Sequence, residues 1–318
     1  MYIGIDLGGT NIAIGIVDAD CNIICKDSVP TGRKRPYQEI VRDMAELIEK
    51  LMQDSGYNKK DIEYIGLGSP GYADSKKGEI IYASSFPTFR RVPLAAELNK
   101  YFPGVKVFLE NDANTAAYGE FIAGAAKGLS DVVAVTLGTG VGGGVIIDGK
   151  IYSGSNHAAS ELGHKVIAFD GLQCECGRRG CWEVYASVSA LIRQTKEAAE
   201  ANPESLIWKE VDNDLEKVNG KTVFDAAHKG DETAKKVIDQ YIKYIVVGVA
   251  DVVNVFQPEA IIIGGGISKQ GEELLSPIRE AVDKETYGVD IKKADIIAAS
   301  LGNDAGIIGA AMLWKQKQ

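Results

Sequence analysis

The first thirty residues place apolar side chains in short runs separated by turn residues, a pattern that suits strands. Residues 2–7 form one such run with a single acid, Asp6, inside it. Gly8-Gly9-Thr10-Asn11 follows, and residues 12–17 form a second run. Two apolar runs joined by a glycine pair predict a β-hairpin, and residues 23–29 extend it to a meander. The period then changes. Tyr37, Ile40, Val41, Met44, Leu47, Ile48 and Leu51 share one helical stripe, so residues 36 to about 54 predict an amphipathic helix. A strand over 62–67 leads to the loop Gly68-Ser69-Pro70-Gly71, read as a turn or as a substrate loop. A short strand over 79–82, a loop over 84–91 and a short helix from Pro93 complete this part.

The next stretch is the centre of the chain. Residues 105–109 have the composition of a buried strand, and residues 113–122 are rich in alanine, the best helix former. Between them stand Glu110, Asn111, Asp112 and Asn114. A helix start needs one side-chain oxygen to accept a first-turn N–H, so four polar groups exceed what capping requires. Asp112 is either that cap or a general base at the carboxyl end of a strand, where open α/β sheets place ligand crevices. Both readings stay open at this level.

Residues 131–137 form another strand, followed by Gly138-Thr139-Gly140-Val141-Gly142-Gly143-Gly144. Gly138, Gly140 and Gly143 satisfy the dinucleotide spacing, but that reading requires a helix immediately afterwards. Residues 145–152 continue as strand and turn, which makes this a second glycine hairpin. Gly220-Lys221-Thr222 imitates the end of a phosphate loop, yet Leu215 stands where a glycine is required and no strand leads in. Beyond it the pattern predicts helices over 222–229 and 231–256, then a strand over 259–263 ending in Gly264-Gly265-Gly266. Glycines after a strand and before a helix let backbone approach a nucleotide closely. That helix runs to about residue 284. A strand over 294–298, the loop Leu301-Gly302-Asn303-Asp304-Ala305-Gly306 and a helix to about 314 close the chain, with residues 315–318 expected to fray. Two glycine hairpins, each followed by further sheet and helix, indicate a duplicated plan.

At 318 residues two domains are expected. A net charge of −9 argues against nucleic-acid or anionic-membrane partners. No apolar run approaches the roughly 20 residues that span a bilayer, and no basic-then-apolar leader opens the sequence, so a cytoplasmic location is expected. The five cysteines do not make a secreted disulfide framework. Cys174, Cys176 and Cys181 cluster after His164, a set of four ligands suited to a closed tetrahedral zinc site, with Gly171, Gly177 and Gly180 permitting the sharp turns. Cys21 and Cys25 are read as packing residues of the meander. A zinc knuckle would fix Glu161 and Glu183 in space and make them candidates for hydroxyl-rich ligands; the competing reading is two solvated surface acids. Asp6, beside a turn rich in backbone N–H groups, suits magnesium next to a bound phosphate.

Seven segments in order carry a family resemblance: Asp6-Leu-Gly-Gly-Thr-Asn11, Glu110-Asn-Asp-Ala-Asn114, Leu137-Gly-Thr-Gly-Val-Gly-Gly-Gly144, Glu161-Leu-Gly-His164, the Cys174 to Glu183 cluster, Gly264-Gly-Gly266 and Leu301-Gly-Asn-Asp-Ala-Gly306. Together they resemble the ROK family of sugar kinases and repressors, and within it the bacterial glucokinases. The resemblance implies the actin-like ATPase (ribonuclease H-like) fold, two α/β domains around a cleft. Residues 1–112 with 301–318 would form one domain, and 113–300 the other, which carries the zinc knuckle. Family repressors carry a helix-turn-helix before the first strand, and the chain opening on that strand is read as favouring a kinase.

The activity implied is transfer of the ATP γ-phosphoryl group to the 6-hydroxyl of a hexose, with glucose as the lead. Fructose, allose or N-acetylmannosamine as substrate, or a non-catalytic sugar-binding protein, are the alternatives. By the same resemblance Asp112 is the catalytic base. Gly68, Asn111, Glu161, His164 and Glu183 bind sugar with it. Asp6, Gly8, Gly9, Thr10 and Asn11, with Gly138, Thr139 and Gly140, hold phosphates and Mg²⁺, and Gly264, Gly265 and Gly266 line the adenosine pocket. His164, Cys174, Cys176 and Cys181 hold structural zinc, and His164 is read as serving zinc and sugar at once. The glycine runs favour ATP over polyphosphate, and family kin are often dimers or tetramers. The chain departs from the family pattern at His157 and Ser160, where glycine is usual, at Ser84-Ser-Phe-Pro-Thr-Phe89, and at Trp182. These departures are read as bearing on which hexose is bound.

Overall fold

A computed structural model describes residues 1–288 and 291–317. The chain opens with strands β1 (Tyr2–Leu7), β2 (Asn11–Val17) and β3 (Ile23–Pro30), then helix α1 (Tyr37–Asp54). Strands β4 (Tyr64–Ser69), β5 (Tyr72–Asp74), β6 (Glu79–Tyr82) and β7 (Arg90–Val92) precede α2 (Leu94–Asn99), β8 (Lys106–Asn111) and α3 (Asp112–Ala123). The second hairpin is β9 (Val132–Leu137) and β10 (Val141–Ile147), with a short β11 (Lys150–Ile151). Helices α4 (Glu183–Ala186), α5 (Val188–Ala201), α6 (Ile207–Glu210), α7 (Thr222–His228) and α8 (Glu232–Phe256) follow. Then come β12 (Ala260–Gly264), α9 (Glu272–Glu285), β13 (Asp295–Ala298) and α10 (Asp304–Ala311).

The duplicated plan is visible in the sheets. One runs β3-β2-β1-β4-β8 and the other β11-β10-β9-β12-β13, the same order built twice from a glycine hairpin outward. A small antiparallel sheet, β5-β6-β7, is added after β4. Contact density groups the chain into two compact units whose boundaries fall elsewhere than residue 112. The first holds Met1–Val132, Gly144–Ser160 and the chain from Ser300 onward; the second holds Val133–Gly143 and Glu161–Ala299.

In the first unit the alternation along β1 sends Ile3, Ile5 and Leu7 into a core with Ile40, Met44, Ile48 and Leu51 of α1. On the opposite face, glycines let α10 lie close against the sheet. A Cβ on Gly4 would stand 2.0 Å from the Ile307 carbonyl, and one on Gly66 1.7 Å from the Ala310 carbonyl. Helix α3 meets α10 in the same way, through Gly119 on Ala305 and Gly309 on Thr115. In the second unit α8 is the central helix, with Tyr241, Ile245 and Val249 fully buried. Trp182 is also fully buried; its Nε1 donates to the Tyr244 carbonyl (2.7 Å) and its ring fills the space left by Gly248. Trp182 is therefore core packing on α8.

Three further expectations are corrected. Helix α5 lies where the pattern drew no element, because its buried positions are Ala190, Leu191, Thr195 and Ala199, too small to make a stripe. The glycines after β12 enter a 3-10 turn, Gly266–Gln270, before α9 begins. The tail does not fray at Gln316, whose side chain accepts the Ile151 amide (2.8 Å) and donates to the Gly149 carbonyl (3.1 Å); Gln318 lies outside the described residues. Among those residues, no helix is long and apolar enough to cross a membrane.

Candidate active site

In the first unit, β1, β4 and β8 are parallel, so their carboxyl ends share one edge. The register sets Asp6 opposite Gly68, Gly68 opposite Glu110, and Ser69 opposite Asn111. Asp112 follows as the first residue of α3. The cap is Asn111: its Oδ1 accepts the amides of Ala113 (2.9 Å) and Asn114 (3.1 Å), and its Nδ2 donates to the Gly71 carbonyl (3.1 Å). Asp112 is thus relieved of capping, and its Oδ1 accepts the neighbouring Ala113 amide (2.9 Å). Burial raises the Asp112 carboxyl above its ordinary range, opposed by the Ala113 and Asp112 amides and the Asn111 side chain. Asp6 is pushed up to about 6, first by burial and then by the charge of Asp112. The charge of Asp112 thus adds to burial in disfavouring ionisation of Asp6.

The turn at Gly8-Gly9-Thr10 is braced from β3: Thr31 donates its hydroxyl to the Gly8 carbonyl (2.7 Å) and its amide to the Thr10 carbonyl (2.8 Å). A Cβ on Gly9 would meet nothing within 4 Å, so this turn presents open backbone. Gly68 has a packing reason to be glycine, since a Cβ there would stand 2.4 Å from Thr115 Oγ1. Two buried acids, Glu110 and Glu120, to which the sequence assigned no role, hold the frame. Glu110 accepts from the Asn111 amide (3.0 Å), Asn114 Nδ2 (3.0 Å) and Ser153 Oγ (3.1 Å). Glu120 accepts from the amides of Ala125, Ser300 and Leu301 and from Ser300 Oγ, and so fastens the loop before α10. The signal for Glu110 was its place among four polar residues at a junction; Glu120 sits on an ordinary helix and gives none.

In the second unit the candidate residues gather around the β9–β10 turn. Gly138 and Gly140 close it with a backbone bond (3.0 Å), and the Val188 amide braces the Gly138 carbonyl (2.8 Å), a counterpart to Thr31. Added Cβ atoms on Gly138 and Gly266 would meet nothing within 4 Å. Gly265 differs: its φ is +90° and a Cβ would lie 2.2 Å from the Leu137 carbonyl, so it joins β12 to the base of the hairpin. The 3-10 turn Leu162–His164 also rests on the hairpin, with Gly163 against the Val141 carbonyl.

That turn delivers His164 to the cysteines. The ligand atoms of His164, Cys174, Cys176 and Cys181 all lie within 4.8 Å of one another. Cys174 Sγ is 3.7 Å from His164 Nδ1, and Cys176 Sγ is 3.6 Å from Cys181 Sγ. A tetrahedron with zinc–sulfur bonds of about 2.3 Å has edges of about 3.8 Å, so the donor set fits such an ion. Burial raises the Cys174 and Cys181 thiols, a cost that a bound cation would offset. Gly177 (φ +91°) and Gly180 (φ +78°) take left-handed turns, and Gly171 leaves room for the Tyr185 hydroxyl. Glu183 sits beside the cluster, with Oε1 3.2 Å from Cys174 Sγ and 3.4 Å from His164 Nδ1. A Cβ on Gly140 would stand 2.7 Å from Glu183 Oε2, so this acid links the knuckle to the glycine turn.

The ROK family model matches residues 2–317. Glucokinase of Thermotoga maritima is 39% identical over 315 residues, covering 99% of this chain and 97% of that protein. Glucokinase of Streptomyces coelicolor is 38% identical, covering 99% and 98%. Among solved structures, a ROK glucokinase from Streptomyces griseus in complex with glucose and AMPPNP is 37% identical with a TM-score of 0.83, covering 98% of each chain. With the paired hairpin sheets, Asn111-Asp112 at a shared strand edge and the His164–cysteine cluster, these matches show that the chain has the actin-like ATPase fold and belongs to the ROK family.

Proposed function

We propose that this chain is a glucokinase, moving the γ-phosphoryl group of ATP to the 6-hydroxyl of glucose. The observation that carries the chemistry is Asp112, a buried carboxylate at the start of α3 whose capping duty is taken by Asn111. The substrate assignment rests on likeness to glucokinases over the full length.

In the mechanism, Asp112 accepts the proton of the 6-hydroxyl as its oxygen bonds to the γ-phosphorus and the bond to the β–γ bridging oxygen breaks, releasing ADP. Burial suits this role: it raises the basicity of Asp112 toward an alcohol proton. Phosphoryl transfer asks the protein mainly for positioning and charge stabilisation. The open backbone at Gly8 to Asn11 and at Gly138 to Gly140 would donate to phosphate oxygens, and Gly264 to Gly266 would line the adenosine. Asp6 would hold magnesium, which when bound neutralises charge on the phosphates. Asn111, Gly68, Glu161, His164 and Glu183 would bind sugar hydroxyls. His164, Cys174, Cys176 and Cys181 would hold zinc as a structural ion. With Nδ1 of His164 facing Cys174, Nε2 is the nitrogen available to a hydroxyl. A dimer or tetramer is the assembly proposed.

The test is ADP release with Mg-ATP across glucose, mannose, fructose, allose, N-acetylglucosamine and N-acetylmannosamine, alongside Asp112→Asn. Turnover strongest on glucose and lost in Asp112→Asn, with glucose binding retained, is the expected result. Turnover confined to another sugar would overturn the substrate. Full turnover by Asp112→Asn would overturn the base.

A further inference from the structure

Between β11 and Glu161 the chain makes a tight excursion with three left-handed residues, Gly154 (φ +76°), His157 (φ +62°) and Ser160 (φ +70°). A side chain makes that conformation cost roughly 1 kcal/mol or more, so a histidine held there needs a compensating contact. It has one. His157 Nε2 lies 3.4 Å from Asp74 Oδ1, with only 15% and 11% of the two side chains exposed. Nδ1 of His157 is buried and finds no hydrogen-bond partner, so the pairing with Asp74 is what the imidazole is placed for.

Asp74 is itself firmly held. Its Oδ1 accepts the amides of Lys76 and Lys77 (3.1 Å each), and Lys77 Nζ is 3.2 Å from Oδ2. Burial acts to raise this carboxyl, but the Lys77 contacts and the His157 imidazole outweigh it and keep Asp74 below the ordinary range. The same strand also serves the Asp112 side. Gly71, just before β5, accepts the Asn111 side chain. The segment from Gly71 to Asp74 therefore braces two things at once: the cap that precedes Asp112 and the loop that precedes Glu161. Ser160 is the last residue of the first compact unit in this segment and Glu161 the first of the second.

We propose that His157, clasped to Asp74, is a positioning residue that presents Glu161 for sugar binding and so sets sugar affinity rather than the rate of phosphoryl transfer. This rests on the sugar-kinase reading above.

The test uses the full chain with His157→Gly, His157→Asn and Asp74→Asn. Glycine relieves the backbone, so His157→Gly should melt no lower than the parent, which separates a lost clasp from misfolding. Its KM for glucose should rise about tenfold, the equivalent of one modest polar contact, with kcat and the KM for ATP within about twofold. His157→Asn tolerates the left-handed backbone but its amide ends at the level of Nδ1, short of Asp74, so it should lose glucose affinity to the same extent as His157→Gly. Amide hydrogen exchange over residues 152–160 should quicken about tenfold in Asp74→Asn, whether or not the protein turns over sugar. Glucose affinity by calorimetry decides the matter if turnover is absent. Unchanged exchange, unchanged glucose affinity in His157→Gly, or a joint fall in kcat and both affinities would each overturn the proposal. Absence of kinase activity with quickened exchange and weakened glucose binding would overturn only the parent reading.

Discussion

Gly306 of α10 lies against the carboxylate of Asp6 so closely that a Cβ there would stand 2.6 Å from Oδ2. The acid proposed to hold magnesium is thus backed by a helix with no side chain at that point. Gly306→Ala should push Asp6 out of place. Misplacement by an ångström at a phosphate site costs on the order of 100-fold in rate, and overpacking costs about 1–3 kcal/mol of stability. Steady-state kinetics should show the loss in kcat/KM for ATP, with the KM for glucose little changed. A parent-like ATP profile would show that the carboxylate can shift without consequence.

The Asp6 carboxyl carries a pH signature. Its value is about 6 in the fold against 3.8 ordinarily. Between those values the folded chain keeps a proton that the unfolded chain has released, so its contribution to stability falls as pH rises through that window and is level above it. The total is on the order of 3 kcal/mol. Asp6→Asn has no such proton to lose. Denaturation of parent and variant should therefore diverge from pH 4 to pH 6.5, with the variant gaining, while its phosphoryl transfer collapses. A stability difference that stays flat with pH would contradict the assignment.

Much of this was legible because it is local. A glycine pair between apolar runs, or three cysteines within eight residues after a histidine, declares itself in a short window. What was not legible is how each glycine is used. Gly9, Gly138 and Gly266 open onto space, whereas Gly68 and Gly265 are jammed against Thr115 and Leu137, yet all read alike in the chain. The cap was ambiguous for a similar reason: Asn111 and Asp112 are both good cap residues, and only the backbone decides which faces the first-turn amides. Helix α5 was missed because alanine and threonine bury its face without a stripe. The tether at Gln316 joins positions 165 apart, beyond any pattern in the sequence.

Glu120 gathers four donors on one buried carboxylate: the Ala125, Ser300 and Leu301 amides and the Ser300 hydroxyl. Only a carboxylate is acceptor on both oxygens. Glu120→Gln is nearly isosteric but turns one end into a donor facing donors, which should cost about 2–4 kcal/mol. Chemical denaturation measures this directly, and the loosened loop should also weaken Asp6 through α10. A loss below about 0.5 kcal/mol would mean that the loop is held by packing alone.

The cluster of His164 with Cys174, Cys176 and Cys181 makes the last prediction. One set of four ligands implies about one zinc per chain in purified protein, measurable by elemental analysis. Chelation should lower the melting temperature and allow the knuckle to open. Because Glu183 touches both Cys174 and His164, losing the ion should also release Glu183 from Gly140 and weaken glucose binding. Nucleotide binding should fall less, since the Gly8 turn is braced by Thr31 in the other unit. Cys181→Ser should reproduce the effect of chelation, whereas Cys21→Ser should leave the zinc content at the parent level. Metal-free protein with parent melting and parent glucose affinity would remove the knuckle from the function.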